Sequence, residues 1–224
     1  MREKPLVDEP RWHAAVAVLA AVGLYLTLPN KITVGPLWLM PLLILGILIP
    51  LLIVAPGRHL EVAWQRWASI TNIFILNIFN IATLVQLFIW LVSVHHRRAI
   101  SGEQLLVGAV QIWITNVIVY ALWFWEIDGR GPSVRCRVPA QQEQQRSDFL
   151  FVQMTLDREV RERMNWKPRF LDYLFVSFTN ATAFSPADTY PLTRLAKTLM
   201  MAEAMTSLAT LSIIAGRAIN ILGS

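Results

Sequence analysis

The sequence predicts an all-α integral membrane protein of five transmembrane helices plus one re-entrant helix, with six crossings as the alternative. Three observations carry this. Of 224 residues, 55% are hydrophobic and 16% charged, and the mean hydropathy is +0.47; soluble domains carry about 25% charge. Long apolar runs are separated by polar breaks marked with proline or glycine. Near the C-terminus, an apolar run too short to cross is followed, after a polar turn, by one long enough to do so.

The first helix is expected from about Trp12 to Leu28, ended by Pro29-Asn30, because proline lacks a donor and clashes with the preceding turn. The segment before it, MREKPLVDEPRWH, is mixed in charge, and no small-x-small cleavage site follows, so this helix reads as retained. A second helix is expected from about Pro36 to Ala55, with Pro41 and Pro50 inside it as possible kinks and Pro56-Gly57 as its stop. The linker GRHLEVAWQRW then lies at the interface, with Trp64 and Trp67 at headgroup level.

A third helix is expected from about Ala68 to Val94, ending in His95-His96-Arg97-Arg98. Asn72, Thr83 and Gln86 share one arc of it, with Asn80 at the edge; amides are costly against lipid, so this face should meet other helices or a cavity. The fourth runs from about Glu103 to Trp125 and ends in ALWFWEIDGRGP: aromatic belt, acids, then a glycine/proline stop. A polar linker follows over about 128–168. Within it, TLDREVRERMNW reads as a surface helix with opposite charges at i, i+4 and with Leu156, Val160 and Met164 on one face, suited to a membrane surface.

The last unit is the most informative. PRFLDYLFVSFTNATAF is apolar but short of spanning length, SPADTYP breaks it, and Leu192 to Leu222 forms a full-length helix. Irregular backbone at membrane depth persists only where protein or water satisfies it. Within the final helix, Glu203 lies at membrane depth with Thr206, Ser207 and Thr210 at helical spacing. An ionisable group there is a functional hypothesis by default. Either this stripe lines a cavity, with Glu203 drawing cations, or it contacts another helix, with Glu203 neutral or hydrogen-bonded to Asn116 or Gln111.

Composition narrows the function classes. The formal charge is +5, but the basic residues flank apolar runs, where they anchor topology at anionic headgroups, so no nucleic-acid partner is expected. Cys136 is the single cysteine and reads as a plain thiol. His95 and His96 are adjacent and point to different helix faces, so they make a poor metal pair. No HExxH, GxSxG, P-loop or GxGxxG occurs. Glu126, Asp148, Asp157 and Asp172 share one membrane face without any sequence feature that fixes their geometry. The expectation is no enzyme, no metal and no cofactor.

The stretch from Asn180 to Pro191, N-A-T-A-F-S-P-A-D-T-Y-P, resembles the potassium-channel signature T-A-T-T-V-G-Y-G-D-x-Y-P at Ala181, Thr182, Asp188, Tyr190 and Pro191 without gaps. The order of a helix, a polar linker, a short helix, a break and a long helix resembles that family's outer helix, turret, pore helix, filter and inner helix. The resemblance covers about a third of the chain, or about half with the fourth helix included. It implies a filter-like segment of Thr182, Ala183, Phe184, Ser185, Pro186, Ala187 and Asp188. Thr182 would be innermost, Asp188 would sit behind the outer mouth, and Tyr190-Pro191 would start the inner helix. Glu203, Thr206 and Thr210 would line a cavity below. It also implies a homotetramer.

The family's G-Y-G is replaced by Ser185-Pro186-Ala187. Glycine accepts the positive φ that turns successive carbonyls toward an ion. Proline is locked near −65° and constrains its predecessor, and alanine in the left-handed region costs about 1–2 kcal/mol. A standard filter is therefore excluded, and a wider, less selective mouth is what the resemblance leaves. A helical hairpin made of ordinary turn residues, with Asp188 as a cap, is the plainer alternative. The C-terminal half also resembles a group of uncharacterised bacterial membrane proteins in Asp172-Tyr173, the Ser185/Asp188 break and Asn220.

The organisation expected is a three-helix region over 1–102 and a pore-like region over 103–224, in a multi-pass protein of the cell (plasma or inner) membrane. Membrane lipids and monovalent cations are the partners expected. Five spans with an outward filter put the N-terminus and segment 128–169 outside, whereas their basic residues favour the reverse; a sixth crossing over 169–185 removes that conflict. Two functions follow: a weakly selective cation channel, or a non-conducting accessory or assembly protein that reuses the pore-module fold.

Overall fold

A computed structural model describes residues 12–54, 63–92, 101–135, 147–164, 166–182 and 189–222. The apolar runs become helices α1 (Trp12–Leu26), α2 (Leu39–Val54), α3 (Ala63–Val92) and α4 (Gly102–Ile127). Of these, α3 and α4, together with the last helix, are long and apolar enough to cross a membrane, while α1 and α2 are shorter apolar helices of 15 and 16 residues. The chain is thus an α-helical protein built on helices suited to a membrane.

Two boundaries differ from expectation for simple reasons. AWQRWAS contains no breaker, so α3 begins at Ala63 and takes in Trp64 and Trp67, which the sequence reading assigns to a linker. Pro41 falls in the first turn of α2, where its missing N–H has no helical partner to lose, leaving Pro50 as the proline inside that helix.

Helix α4 is the central post. In its apolar window 61% of residues are buried, against 22% for α3 and 28% for the last helix. Ser101 starts it with a capping box: Gln104 N–H donates to Ser101 Oγ at 3.1 Å and Ser101 N–H to Gln104 Oε1 at 3.2 Å. Helices α1 and α3 run antiparallel to it. Gln111 of α4 donates to Thr27 at the end of α1 (2.8 Å). On α3, Ser69 donates to Glu126 (3.2 Å) and Asn80 to Asn116 (3.4 Å). Of the inward face expected of α3, Asn72, Thr83 and the edge residue Asn80 are buried, and Gln86 is half-buried.

Beyond α4 the described residues of the expected polar linker fold back on the helix end. Gly129 (φ 57°) and Gly131 (φ 100°) turn the chain sharply, conformations that cost glycine little. A short helix, α5 (Pro132–Arg135), follows. Strand β1 (Phe149–Phe151) then buries Phe149 and Phe151 against the end of α4, with the Phe124 and Phe149 rings 5.1 Å apart. The charge-paired segment forms α6 (Arg158–Met164), with Leu156, Val160 and Met164 exposed.

Helix α7 (Phe170–Ala181) has 12 residues, about 18 Å of rise. Strand β2 (Thr189–Pro191) pairs antiparallel with β1, Phe149 opposite Pro191 and Phe151 opposite Thr189. Tyr190-Pro191 therefore belongs to a strand rather than opening the final helix, because Pro191 lacks a donor but its carbonyl and neighbours fit a strand edge. The final helix is α8 (Arg194–Leu222), capped by Thr193, whose Oγ1 accepts from Ala196 N–H at 3.3 Å.

Gly108 of α4 packs directly against the α1–α2 connection: a Cβ there would stand 3.1 Å from Ile32 Cδ1. We predict that Gly108→Leu destabilises the bundle by about 1–3 kcal/mol through overpacking, read as a lowered midpoint in detergent unfolding, while Gly23→Ala, which meets nothing within 4 Å and replaces a glycine inside α1, leaves the midpoint equal or slightly raised.

Candidate functional site

Two polar clusters organise the C-terminal half. The first caps the end of α4. Asp128 is fully buried. Its Oδ1 accepts from Ser147 Oγ (2.7 Å), Asp148 N–H (2.6 Å) and Phe149 N–H (3.3 Å), and its Oδ2 from the Tyr173 hydroxyl (2.5 Å). One carboxylate thereby joins α4, β1 and α7. Arg135 folds back over the same end: Nη1 donates to the carbonyls of Asp128 (2.9 Å) and Trp125 (3.1 Å), and the guanidinium lies 5.0 Å from the Tyr173 ring centre. It satisfies helix-end carbonyls and opposes the negative end of the helix dipole.

Asp148 extends the cluster, accepting from Thr193 Oγ1 at 2.7 Å and so tying the start of α8 to β1. Burial pushes its carboxyl above the ordinary range, and Asp128 adds to this. The Thr193 hydroxyl, the Gly129 backbone and Arg66 act the other way. Of the acids grouped in the sequence, Asp148 interacts with Asp128, which lies outside that group, Glu126 accepts from Ser69 of α3, and Asp172 accepts from the Arg169 N–H at 2.7 Å.

The second cluster lies deeper, where α7 meets α8 and α4. Glu203 is fully buried. Its Oε1 is hydrogen-bonded to Ser177 Oγ, and its Oε2 accepts from Asn180 Nδ2 at 2.7 Å. Ser177 Oγ also lies 2.7 Å from the Val117 carbonyl, and Asn180 Nδ2 also donates to the Met200 carbonyl at 2.9 Å. Asn116 donates to the backbone carbonyl of Glu203 (3.4 Å). Ser207 donates to the Ala181 carbonyl at the end of α7 (2.5 Å) and accepts from Trp113 Nε1 (2.8 Å).

Of the residues singled out in the sequence, Glu203 and Thr210 are fully buried within the single chain. Thr206 is half-buried, and both threonine hydroxyls donate to backbone carbonyls one turn earlier in α8. Thr182 caps α7, its hydroxyl donating back to the Phe178 (3.0 Å) and Thr179 (3.1 Å) carbonyls. Ala183, Phe184, Ser185, Pro186, Ala187 and Asp188 lie outside the described residues. Gln111 pairs with Thr27 rather than Glu203. Sequence reading missed Ser177 and Asn180 as partners of Glu203, although both stand on the α7 face with Tyr173 at helical spacing. It also missed Asp128, whose one signal is its place in Asp-Gly-Arg-Gly at a helix end.

Between α1, α2, α3 and α4 lies a cavity of about 40 Å³, lined by Ser69 and Asn72 among apolar side chains. Asn72 Oδ1 has no hydrogen-bond partner. The space suffices for water, which that oxygen needs. Among the described residues, no group of three or more His, Cys, Asp or Glu is arranged to hold a metal ion. No protein-family model, curated protein or solved structure matches the chain.

Two outcomes follow for the α4 cap. Tyr173→Phe should cost about 1–3 kcal/mol, because a buried carboxylate oxygen loses its donor, and Asp128→Ala should cost more, because it also removes the acceptor of the Asp148 and Phe149 N–H groups; equilibrium unfolding in detergent measures both. Asp148 holds its proton more tightly folded than unfolded, so its contribution to stability is present in acid and is lost as pH rises through its folded value. Subtracting the stability–pH curve of Asp148→Asn from that of wild type should show that downward step.

Proposed function

We propose that the chain is a protomer of a channel-like membrane protein, a weakly selective monovalent-cation channel of the cell membrane, in which α7 and residues 183–188 form a re-entrant loop. The protomers would assemble as a homotetramer in lipid. One observation carries this reading. Both ends of the α7–β2 segment are fixed at the same end of α4: Tyr173 is bound to Asp128, and β2 is paired with β1. Meanwhile the far end of α7 stops opposite Ser207 and Trp113, well inside the bundle. A helix of about 18 Å, shorter than α1 and α2, falls far short of a hydrocarbon core of about 30 Å. Residues 183–188 are enough extended chain, about 20 Å, to return to β2. On this reading α4 is the outer helix, α7 the pore helix and α8 the inner helix, with five crossings in all.

A second reading is favoured by a different observation. Glu203, Ser207 and Thr210 point into the protomer, while Met201, Met205 and Leu208 form the exposed stripe of α8. An inner helix that presents methionine and leucine outward suits a non-conducting accessory or assembly protein that keeps the pore-module fold.

Purified protein in liposomes separates the two. Potassium or sodium flux above empty vesicles is expected for the channel, and silence to both ions in a verified oligomer supports the accessory reading. The loop itself is tested in a Cys136→Ser background: single cysteines replacing Lys167 and Tyr190 should label from the same side of the membrane and one replacing Ser101 from the other. Labelling of 167 and 190 from opposite sides would sink the re-entrant path.

A further inference from the structure

We propose that Glu203 is a proton-carrying site: a neutral carboxylic acid that donates to Ser177 and thereby fixes α7 to α8. The proposal goes beyond conduction and does not require it. Ser177 Oγ contacts two oxygens, Val117 O and Glu203 Oε1. A serine hydroxyl carries one hydrogen, so with an ionised glutamate only one contact would hold a proton and the other would press two lone pairs together. Protonation of Glu203 supplies the missing hydrogen. Glu203 O–H then donates to Ser177 Oγ, Ser177 O–H donates to the Val117 carbonyl, and Asn180 uses its two N–H groups on Glu203 Oε2 and the Met200 carbonyl. Each of the contacts between Glu203, Ser177, Val117, Asn180 and Met200 then carries one hydrogen.

The surroundings agree with a neutral acid. Glu203 is fully buried. The groups facing it are Ser177 and Asn180 from α7 and Tyr120 from α4. None of these is a cation, and a buried carboxylate without one is strongly disfavoured. The acid therefore works as a hydrogen-bond donor at the base of α7, three residues before the segment 183–188 begins at its Asn180 partner. The proton it holds is the ligand of this site.

Infrared spectroscopy of the purified protein in lipid tests this without reference to flux. At neutral pH, wild type should show a protonated-carboxyl carbonyl band that shifts in D2O. The band should be absent in Glu203→Gln and retained in Glu126→Gln and Asp148→Asn. Ser177→Ala should move its frequency, because the acceptor of its proton is gone. The Glu203→Gln protein should melt within a few degrees of wild type, since a glutamine amide donates to Ser177 and accepts from Asn180 as the acid does. Absence of the band in wild type overturns the proposal. So does a band that survives Glu203→Gln, or one indifferent to Ser177→Ala, which also decides the matter should the glutamine variant not fold. A silent flux assay with the band present would count against the channel and leave this site standing.

Discussion

The C-terminal half depends on one buried carboxylate. Asp128 closes α4, holds the start of β1 through two backbone N–H groups and Ser147, and takes the Tyr173 hydroxyl of α7. A carboxyl group buried this completely is tolerated only with its lone pairs filled, and the filling groups come from two places: the consecutive residues 147–149 that lead into β1, and Tyr173 of α7. The cost of desolvating it ties these segments together: displacing β1 or α7 leaves buried carboxyl oxygens unserved. Arg135 lies over the same helix end and gives the cluster a counterweight through carbonyls and the Tyr173 face.

From that fixed end the rest of the half follows. Strand β2 is held to β1 by its ladder and by the Leu192 N–H to Asp148 O bond of 2.8 Å. Thr193 binds Asp148 and caps α8 in the same step. Helices α7 and α8 therefore leave one platform in one direction, and their sides must be matched over several turns. The matching is done by polar groups between apolar neighbours: Ser177, Asn180 and Glu203, then Ser207, Ala181 O and Trp113. In a membrane, where apolar contact gains little over lipid, small and polar residues at helix interfaces carry much of the specificity. The two clusters divide the work, the upper one setting where the helices begin and the lower one their depth.

The N-terminal half is held differently. Helices α1 and α3 pack on α4 mainly through small and aliphatic residues such as Ala21, Ala109 and Leu76, all fully buried. Its amides are spaced along α3 and make single contacts, Asn80 to Asn116 and Asn72 to the Ile44 carbonyl at 3.5 Å. Asn72 keeps one oxygen unpaired beside a small cavity. That pattern suits a scaffold with local hydration rather than a continuous polar path.

The sequence by itself determined the helices and their stops. Apolar runs of 15 to 30 residues, separated by breaks such as Pro29-Asn30 and Pro56-Gly57, leave the backbone no other way to satisfy itself. It also marked Glu203 as exceptional, because one charge among apolar neighbours is visible without coordinates. Tertiary structure alone decided what Glu203 touches, since Ser177 and Asn180 lie more than twenty residues away and read as ordinary polar residues of a short helix. The same holds for Asp128, whose partners are drawn from β1 and α7, and for the strands, whose three-residue segments carry no periodicity of their own and exist because each supplies the other's hydrogen bonds. Local sequence fixes what a segment is able to be. Where a buried charge finds its donors depends on which segments meet, and that is a property of the packed chain.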